Sequence, residues 1–156
     1  MPKILDIITH PNKNLRQACT EIDLKTINDP SFKSFLSNML ETMLKKDGIG
    51  LAAPQVGKNI RLAVIKTKDG PLFLINPIIT KKSLLKETAE EGCLSVPGVF
   101  GDVKRPKNIT CSFVSQEGKL IDLRVTGFMA RVFQHEIDHL DGILFIDKAK
   151  NLKHVE

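Results

Sequence analysis

The sequence predicts an α+β fold in a single domain that spans residues 1–156, with small antiparallel or mixed β-sheets around two helices. Three observations predict this class. One segment near the N-terminus has apolar residues at helical spacing, a second carries a His-Glu-x-x-His motif of the kind found on helices, and several short apolar runs between turn residues are typical of strands. The length suits one domain, and no repeat, low-complexity tract or linker divides the chain.

The N-terminal elements are a short helical turn, predicted in residues 11–18, and a longer amphipathic helix. Asp29 stands at the N-cap position of this helix and Pro30 in its first turn. The apolar residues that follow recur at spacings of three and four, which predicts that one face packs on the core. These residues are Phe32, Phe35, Leu36, Met39, Leu40, Met43 and Leu44. Asp47 and Gly48 are expected to end the helix.

Strands are predicted where short runs of apolar and β-branched residues lie between turn residues. The predicted strands are residues 60–65, 72–75, 84–91, 109–114 and 120–125. Asn76 and Pro77 are expected to end the second of them, and the last two are expected to form a hairpin. Thr126 is then placed to cap the helix that carries the His-Glu-x-x-His motif, and Gly142 to end it.

The composition is that of an ordinary globular protein, with 42% hydrophobic and 26% charged residues. The N-terminus has no apolar segment typical of a signal peptide, and no run approaches the length that a membrane span requires. Three cysteines without a signal peptide indicate a reducing compartment, so we expect a cytoplasmic protein without disulfides. The net charge of +5 leaves two interpretations: a solvated lysine-rich surface, which the scattering of the lysines favours, or a patch that binds RNA.

The motif that carries chemistry lies at residues 135–139 and reads His-Glu-Ile-Asp-His. Positions i and i+4 project from one face of a helix, so His135 and His139 can bind the same metal ion. Glu136 is then close enough to act on a water molecule bound to that ion. The motif therefore predicts a metal-binding helix in a hydrolase.

No third metal ligand is evident downstream of this motif. Metalloproteases of the thermolysin type use a downstream Glu, but the carboxylates that remain here are Asp141, Asp147 and Glu156. Metzincins use a further His, and Phe145, which cannot bind a metal, stands at that position. The third ligand is therefore expected upstream of the helix.

Cys93 is the candidate for that ligand. It follows a glycine and precedes a Pro-Gly pair at residues 97–98, which indicates a turn and an exposed, sharply shaped backbone. Cys19 lies in a segment typical of the apolar side of a short helix, and Cys111 lies in a strand-like run. Both of these are expected to pack as small hydrophobic residues.

Three segments of the chain together resemble the signature segments of the peptide deformylases, in the order and spacing of that family. They are residues 48–57 (GIGLAAPQVG), 91–95 (EGCLS) and 134–142 (QHEIDHLDG). The resemblance covers residues 3–148, nearly the whole chain. It implies an enzyme that removes the formyl group from the N-formyl-methionyl peptides of newly made proteins and releases formate.

The resemblance also implies roles for individual residues. The implied metal ligands are Cys93, His135 and His139. A metal-bound water is the nucleophile, Glu136 is its general base and acid, and the oxyanion is stabilised by the side-chain amide of Gln55 and the backbone N–H of Leu94. The residues expected around the substrate are Ile49, Gly50, Phe128 and Val132. Because metal-binding imidazoles usually donate their other N–H to an oxygen, polar residues are expected to support the ligands. These are Glu91, Arg105 and Asp138.

One divalent metal ion is implied as cofactor: Fe²⁺ in cells, with Zn²⁺, Ni²⁺ or Co²⁺ in a purified sample. The implied partners are nascent formylated peptides, with transient ribosome association, and we expect a monomer without membrane contact. Phe100 departs from the family pattern, because some relatives have an arginine there that contacts the substrate. Two other functions stay open: a His-Glu-x-x-His zinc peptidase, and a non-catalytic relative that binds nascent peptides.

Overall fold

The computed structural model describes residues 1–155; Glu156, the last carboxylate considered above, lies outside this range. The described chain has two α-helices, eight β-strands and four short 3-10 helices. The helices are α1 (Pro30–Lys45) and α2 (Gly127–Leu140). The strands are β1 (Gly50–Ala52), β2 (Leu62–Thr67), β3 (Gly70–Lys82), β4 (Lys86–Cys93), β5 (Val96–Pro106), β6 (Asn108–Val114), β7 (Leu120–Thr126) and β8 (Lys150–His154). None of the helices in residues 1–155 has the length and apolar character needed to cross a membrane.

Five strands form an antiparallel sheet in the order β1-β2-β3-β6-β7, with a helix packed on each face. The alternation along β2 explains this arrangement. Val64 packs in the same core cluster as Met39 of α1, whereas Ile65 packs in the cluster that contains Phe133 of α2. Since successive residues of a strand face opposite sides, one apolar strand supplies both cores.

The other three strands form a smaller antiparallel sheet in the order β4-β5-β8. A separate core cluster packs against it, with Val103 of β5 and Phe145 among its buried members. Cys93, the last residue of β4, lies against this cluster. Both β1 and β4 are edge strands of their sheets, and residues of both line one cavity.

The predicted α+β class is confirmed, and each predicted helix and strand overlaps an observed one. The details of the helices differ in two ways. Asp29 and Thr126 do occupy the N-cap positions, but neither side chain makes a capping hydrogen bond. Leu44 is exposed rather than part of the core face. The buried face of α1 runs through Met39 and Met43, and the residue after Met43 lies about 100° further round the helix.

Strand β3 does not end at Asn76 and Pro77 as predicted, but runs through them. Asn76 adopts a φ of 51°, and the pairing with β6 shifts register between Ile75 and Ile78. This irregularity is a bulge, where a proline is tolerated because its missing N–H is not needed by the ladder. The side chain of Asn76 holds the bulge in place by bonding both backbone groups of Ile22.

The sequence does not predict β5 or β8. The turn expected at residues 97–98 is instead part of β5, which pairs with β4 through a shift in register between Gly92 and Cys93. All five residues of β8 are exposed, so no alternation of apolar and polar residues marks it as a strand. Its pairing with β5 supplies the structure that its own pattern does not indicate.

Candidate active site

A cavity of about 570 Å³ is lined by residues of β1, β4, β5 and α2 and by the segment that precedes β1. It brings together residues from all three signature segments. The candidate residues that line it are Ile49, Gly50, Gln55, Glu91, Cys93, Leu94, Phe128, Val132, His135 and Glu136. The other three, which are not among its lining residues, are Arg105, Asp138 and His139.

Cys93, His135 and His139 bring their ligand atoms within 4.8 Å of one another. Helix α2 places the two histidines one turn apart, and the sulfur of Cys93 lies 3.4 Å from Nε2 of His139. Burial lowers the pKa of His139 well below its ordinary value, which keeps this imidazole neutral, as a metal ligand must be. One sulfur and two imidazole nitrogens suit Zn²⁺ or a similar ion with a further position open. The donor set therefore fits a catalytic metal ion.

Glu91 holds one of the two histidines in place. Its Oε1 accepts hydrogen bonds from Nδ1 of His135 and from Arg105, both at 2.9 Å. Its Oε2 accepts from Nε of Arg105 and from Arg131, both at 2.6 Å. Burial alone would raise the pKa of Glu91, but the hydrogen bonds and charges of Arg105 and His135 outweigh it and lower the pKa to about 2. Glu91 is therefore a buried carboxylate that orients the His135 ring.

Arg105 and Asp138, which were expected to support the ligands, lie one contact further from the histidines than Glu91 does. Arg105 bonds Glu91, and its Nη1 also donates to Asp138 at 2.9 Å. Asp138 is bonded in turn by Lys148 at 2.9 Å. Neither residue bonds a histidine, so both act on His135 only through Glu91.

We expect the Arg105→Met variant to lower the free energy of unfolding by about 3 kcal/mol or more, because it leaves the buried Glu91 carboxylate without its main counter-charge. Urea unfolding in one fixed metal state measures this change. The matched control is Lys107→Met, which removes an exposed pair with Glu87 and should cost less than about 1 kcal/mol. Equal losses in the two variants would contradict the assigned role of the buried pair.

Arg131 belongs to the same network and is not identified by the sequence reasoning. It is buried, and besides Glu91 it donates to the backbone carbonyls of Val103 and Glu87 at 2.8 Å. The available signal is its position, four residues before His135 and so on the same face of α2. An arginine on a helix face that packs on the rest of the protein indicates a buried partner.

Glu136 lies on α2 beside the cavity, and its side chain is almost fully buried. Burial raises its pKa to about 7, and Oε1 has no hydrogen-bond partner within residues 1–155. Strand β1 approaches so closely that a Cβ on Gly50 would lie 2.6 Å from Oε2 of Glu136. Gly50 thus leaves the space that the carboxylate occupies. A buried carboxylate with a pKa near neutrality and an unused oxygen is suited to proton transfer.

The amide of Gln55 has a defined orientation. Its Oε1 accepts a hydrogen bond from the backbone N–H of Ala52 at 2.9 Å, and its Nε2 group points toward Cys93. Nε2 donates to Oγ of Ser95 at 3.1 Å and lies 3.6 Å from the sulfur of Cys93. Ser95, which is fully buried, is a second residue that the sequence reasoning misses. Its place in the EGCLS segment, which also contains Cys93, could have indicated that it belongs to the site.

The residues expected around the substrate form the floor and the rim of the cavity. Val132 is buried in the floor, whereas Ile49 and Phe128 are largely exposed at the rim, Phe128 by 60%. Phe100, noted above as a departure from the family pattern, also lines the cavity. Exposed apolar side chains around an opening are typical of a binding site.

Comparison with protein families gives a consistent result. The model of the family described as Polypeptide deformylase matches residues 4–155. A protein of Desulforudis audaxviator named peptide deformylase is 44% identical over 150 residues, which are 96% of this chain and 96% of that protein. A protein of Fusobacterium nucleatum with the same name is 47% identical over 135 residues, which are 86% of this chain and 77% of that protein.

Solved structures of peptide deformylases have a fold similar to that of this chain. A peptide deformylase from Synechococcus elongatus in complex with actinonin has a TM-score of 0.89 at 43% identity, covering 94% of this chain and 79% of that one. A class I type b peptide deformylase from Acinetobacter baumannii with Met-Ala-Ser bound has a TM-score of 0.91 at 30% identity, covering 95% of this chain and 99% of that one.

Proposed function

The chain belongs to the peptide deformylase family, and we propose that its cavity is the site where N-formyl-methionyl peptides lose their formyl group as formate. The observation that carries this proposal is the grouping of Cys93, His135 and His139 beside the buried carboxylate of Glu136. An amide is unreactive, so its hydrolysis needs an activated water, a group that moves protons and a donor for the oxyanion. Each of these needs has a candidate among the residues around the cavity.

The three ligands would hold one divalent ion. When bound, this ion lowers the pKa of water and polarises the formyl carbonyl. We propose Fe²⁺ as the ion in cells, with Zn²⁺, Ni²⁺ or Co²⁺ as replacements in a purified sample. The support for a transition metal is the thiolate, which favours softer ions than carboxylate sites do.

Glu136 takes a proton from the attacking water and gives it to the departing amine. Its pKa of about 7 suits both steps, because a group that titrates near neutrality is both an adequate base and an adequate acid. Gln55 donates from Nε2 to the oxygen on which negative charge develops. The N–H of Leu94 is proposed as a second donor, since it follows Cys93 directly and is held beside the ligand sulfur.

The peptide is proposed to bind in an extended form between β1 and β4. Each of these strands pairs with a single neighbour, so each has a free edge with backbone groups available to a third strand. The methionine side chain would then enter the apolar floor near Val132, with Ile49 and Phe128 at the rim. An unbranched thioether suits such a slot because it adapts to irregular apolar surfaces.

The wider setting is also proposed. The partners are nascent formylated peptides, which emerge at the ribosome, and we propose transient contact with it. A monomer in the cytoplasm as one domain of residues 1–156 is the simplest arrangement for this activity. The three cysteines within the described residues are all free, which accords with a reducing compartment.

The direct test is anaerobic purification, metal analysis and a formate-release assay. We expect formate from formyl-Met peptides, with about one metal ion per chain, and a wide margin in rate over formylated peptides that begin with Asp or Lys. Equal rates for all three would exclude a specific methionine slot. Cleavage of unformylated peptides without formate release would support a zinc peptidase instead, and no turnover of either would support a non-catalytic peptide-binding relative.

We expect Gly50→Ala to lower the rate of formate release by about ten- to hundredfold, because the added methyl group displaces the Glu136 carboxylate from its position. The metal content should not change, since the three atoms nearest to the added methyl group all belong to Glu136, which is not a proposed ligand. Steady-state kinetics with elemental analysis measure both. In a Glu136→Ala background the same change should have little further effect; additive losses in the double variant would contradict the proposed displacement.

A further inference from the structure

The aromatic ring of Phe100 lies directly over the strand that carries Cys93. Phe100 of β5 pairs with Gly92 of β4, the residue before Cys93. A Cβ on Gly92 would lie 2.6 Å from Cε1 and 2.8 Å from Cδ1 of the Phe100 ring. The absence of a side chain at Gly92 therefore leaves the space that this edge of the ring occupies, beside the residue that precedes Cys93.

The backbone at Phe100 is held on both sides. On the side away from β4, Phe100 pairs with Lys153 of β8, and the neighbouring Gly98 accepts a hydrogen bond from the N–H of Val155 at 2.6 Å. Phe100 thus belongs to the middle strand of its sheet. The Phe100 ring is therefore held in place by a strand that is paired on both sides, and does not belong to a loop that adjusts to each ligand.

The Phe100 ring is apolar but only partly buried. Phe100 is 37% exposed although it lines the cavity, and the largely exposed Phe128 also lies at the rim. Two of the charged residues that line the cavity with Phe100 are already paired. Glu90 lies 3.5 Å from Lys153, and Arg131 is bonded to Glu91 and to backbone carbonyls. An apolar side chain placed on this ring would gain contact without separating either pair.

We propose that Phe100 is a specificity-determining residue that favours apolar over charged side chains in the two residues that follow formyl-methionine. This rests on the proposed function. The methionine slot and the reacting carbonyl are proposed to lie beside the buried Val132 and the ligands, so the residues that follow can extend past Phe100, which lines the same cavity and is partly exposed. Contact with the ring removes apolar surface of the peptide from water. Because the ring would contact the peptide equally in the ground state and the transition state, loss of this contact is expected to raise KM with little change in kcat.

The test compares kcat/KM on formyl-Met-Leu-Leu, formyl-Met-Asp-Asp and formyl-methionine amide, which lacks both following residues. The wild type should prefer the Leu-Leu peptide to the Asp-Asp peptide by about tenfold or more. Phe100→Ala should reduce this preference about fivefold or more through a higher KM for the Leu-Leu peptide, and should lower kcat/KM on formyl-methionine amide by a smaller factor than on the Leu-Leu peptide. Phe100→Leu should keep most of the preference, and Phe100→Lys should shift it toward Asp-Asp.

The control is Leu120→Ala, which removes an apolar side chain that is 72% exposed on β7 and does not line the cavity. It should leave all three rates unchanged. An unaltered preference in both Phe100→Ala and Phe100→Lys would overturn the proposal. So would an equal loss on formyl-methionine amide, which would mean that Phe100 only supports the catalytic residues. If the wild type released no formate from any of the three substrates, the proposed function itself would fail. This result differs from the two outcomes that would overturn the role of Phe100 alone.

Discussion

Replacing Glu136 by Ala is expected to reduce formate release by at least about a hundredfold while about one metal ion per chain is retained. Glu136 is not needed as a ligand, because Cys93, His135 and His139 already supply three protein donors. The change removes the carboxylate that we propose takes the proton from water, and positioned acid–base groups typically contribute ~10²–10⁴-fold. Elemental analysis and the formate-release rate on formyl-Met peptides are the two measurements.

A second substitution separates the lost base from the lost volume. Glu136 is packed closely against Gly50, so the Ala variant also leaves a small void. Glu136→Gln keeps nearly the same shape without the base, and should lose activity to a similar degree with its metal retained. Glu117→Ala, which removes an exposed carboxylate, is the control and should change neither quantity. Substantial formate release by either Glu136 variant would show that another group moves the proton.

The residues that could be predicted from the sequence are those whose relation is local or belongs to a recognisable segment. His135, Glu136 and His139 share one helix face, and a helix converts their spacing in the chain directly into a spacing in space. Cys93 lies far upstream, but the lack of a downstream ligand and the EGCLS segment both indicate it. Gln55 was identified through its segment alone, since a single glutamine has no spacing pattern of its own.

Arg131 and Ser95 could not be predicted in this way, because their roles depend on contacts between distant parts of the chain. Arg131 bonds Glu91 forty residues away, and Ser95 bonds Gln55 forty residues away. A polar side chain gains a buried partner only when sheets and helices have packed, and local propensity carries no information about that step. Arg131 meets β4 only through the packing of α2 against the smaller sheet.

The sequence does not predict β5 and β8 for a similar reason. β8 is exposed along its whole length, so it lacks the alternating pattern from which strands are predicted, and its order comes from pairing with β5. β5 begins with a Pro-Gly pair that is typical of a turn. A shift in register against β4 accommodates this pair within the sheet, and such bulges depend on the partner strand rather than on the local sequence.

Replacing His139 by Ala is expected to abolish both metal binding and formate release. His139 is one of the three proposed ligand residues and is 1% exposed, so no other side chain or bulk water readily takes its place. Loss of a residue that merely orients a ligand typically lowers metal affinity by about 10–100-fold, and loss of a ligand itself should cost more. Elemental analysis after dialysis, and the visible spectrum of the Co²⁺-loaded protein, report binding independently of activity.

The control for His139→Ala is His154→Ala, because His154 is exposed on β8 and should leave metal content and activity unchanged. Circular dichroism is needed alongside, since removing a buried ring also leaves a cavity that destabilises the fold. A folded His139→Ala variant that still bound about one metal ion would contradict the ligand set, whatever its activity. The contrast with Glu136→Ala separates the two roles. Removal of a metal ligand should abolish metal binding and turnover together, whereas removal of the residue that moves the proton should abolish turnover alone.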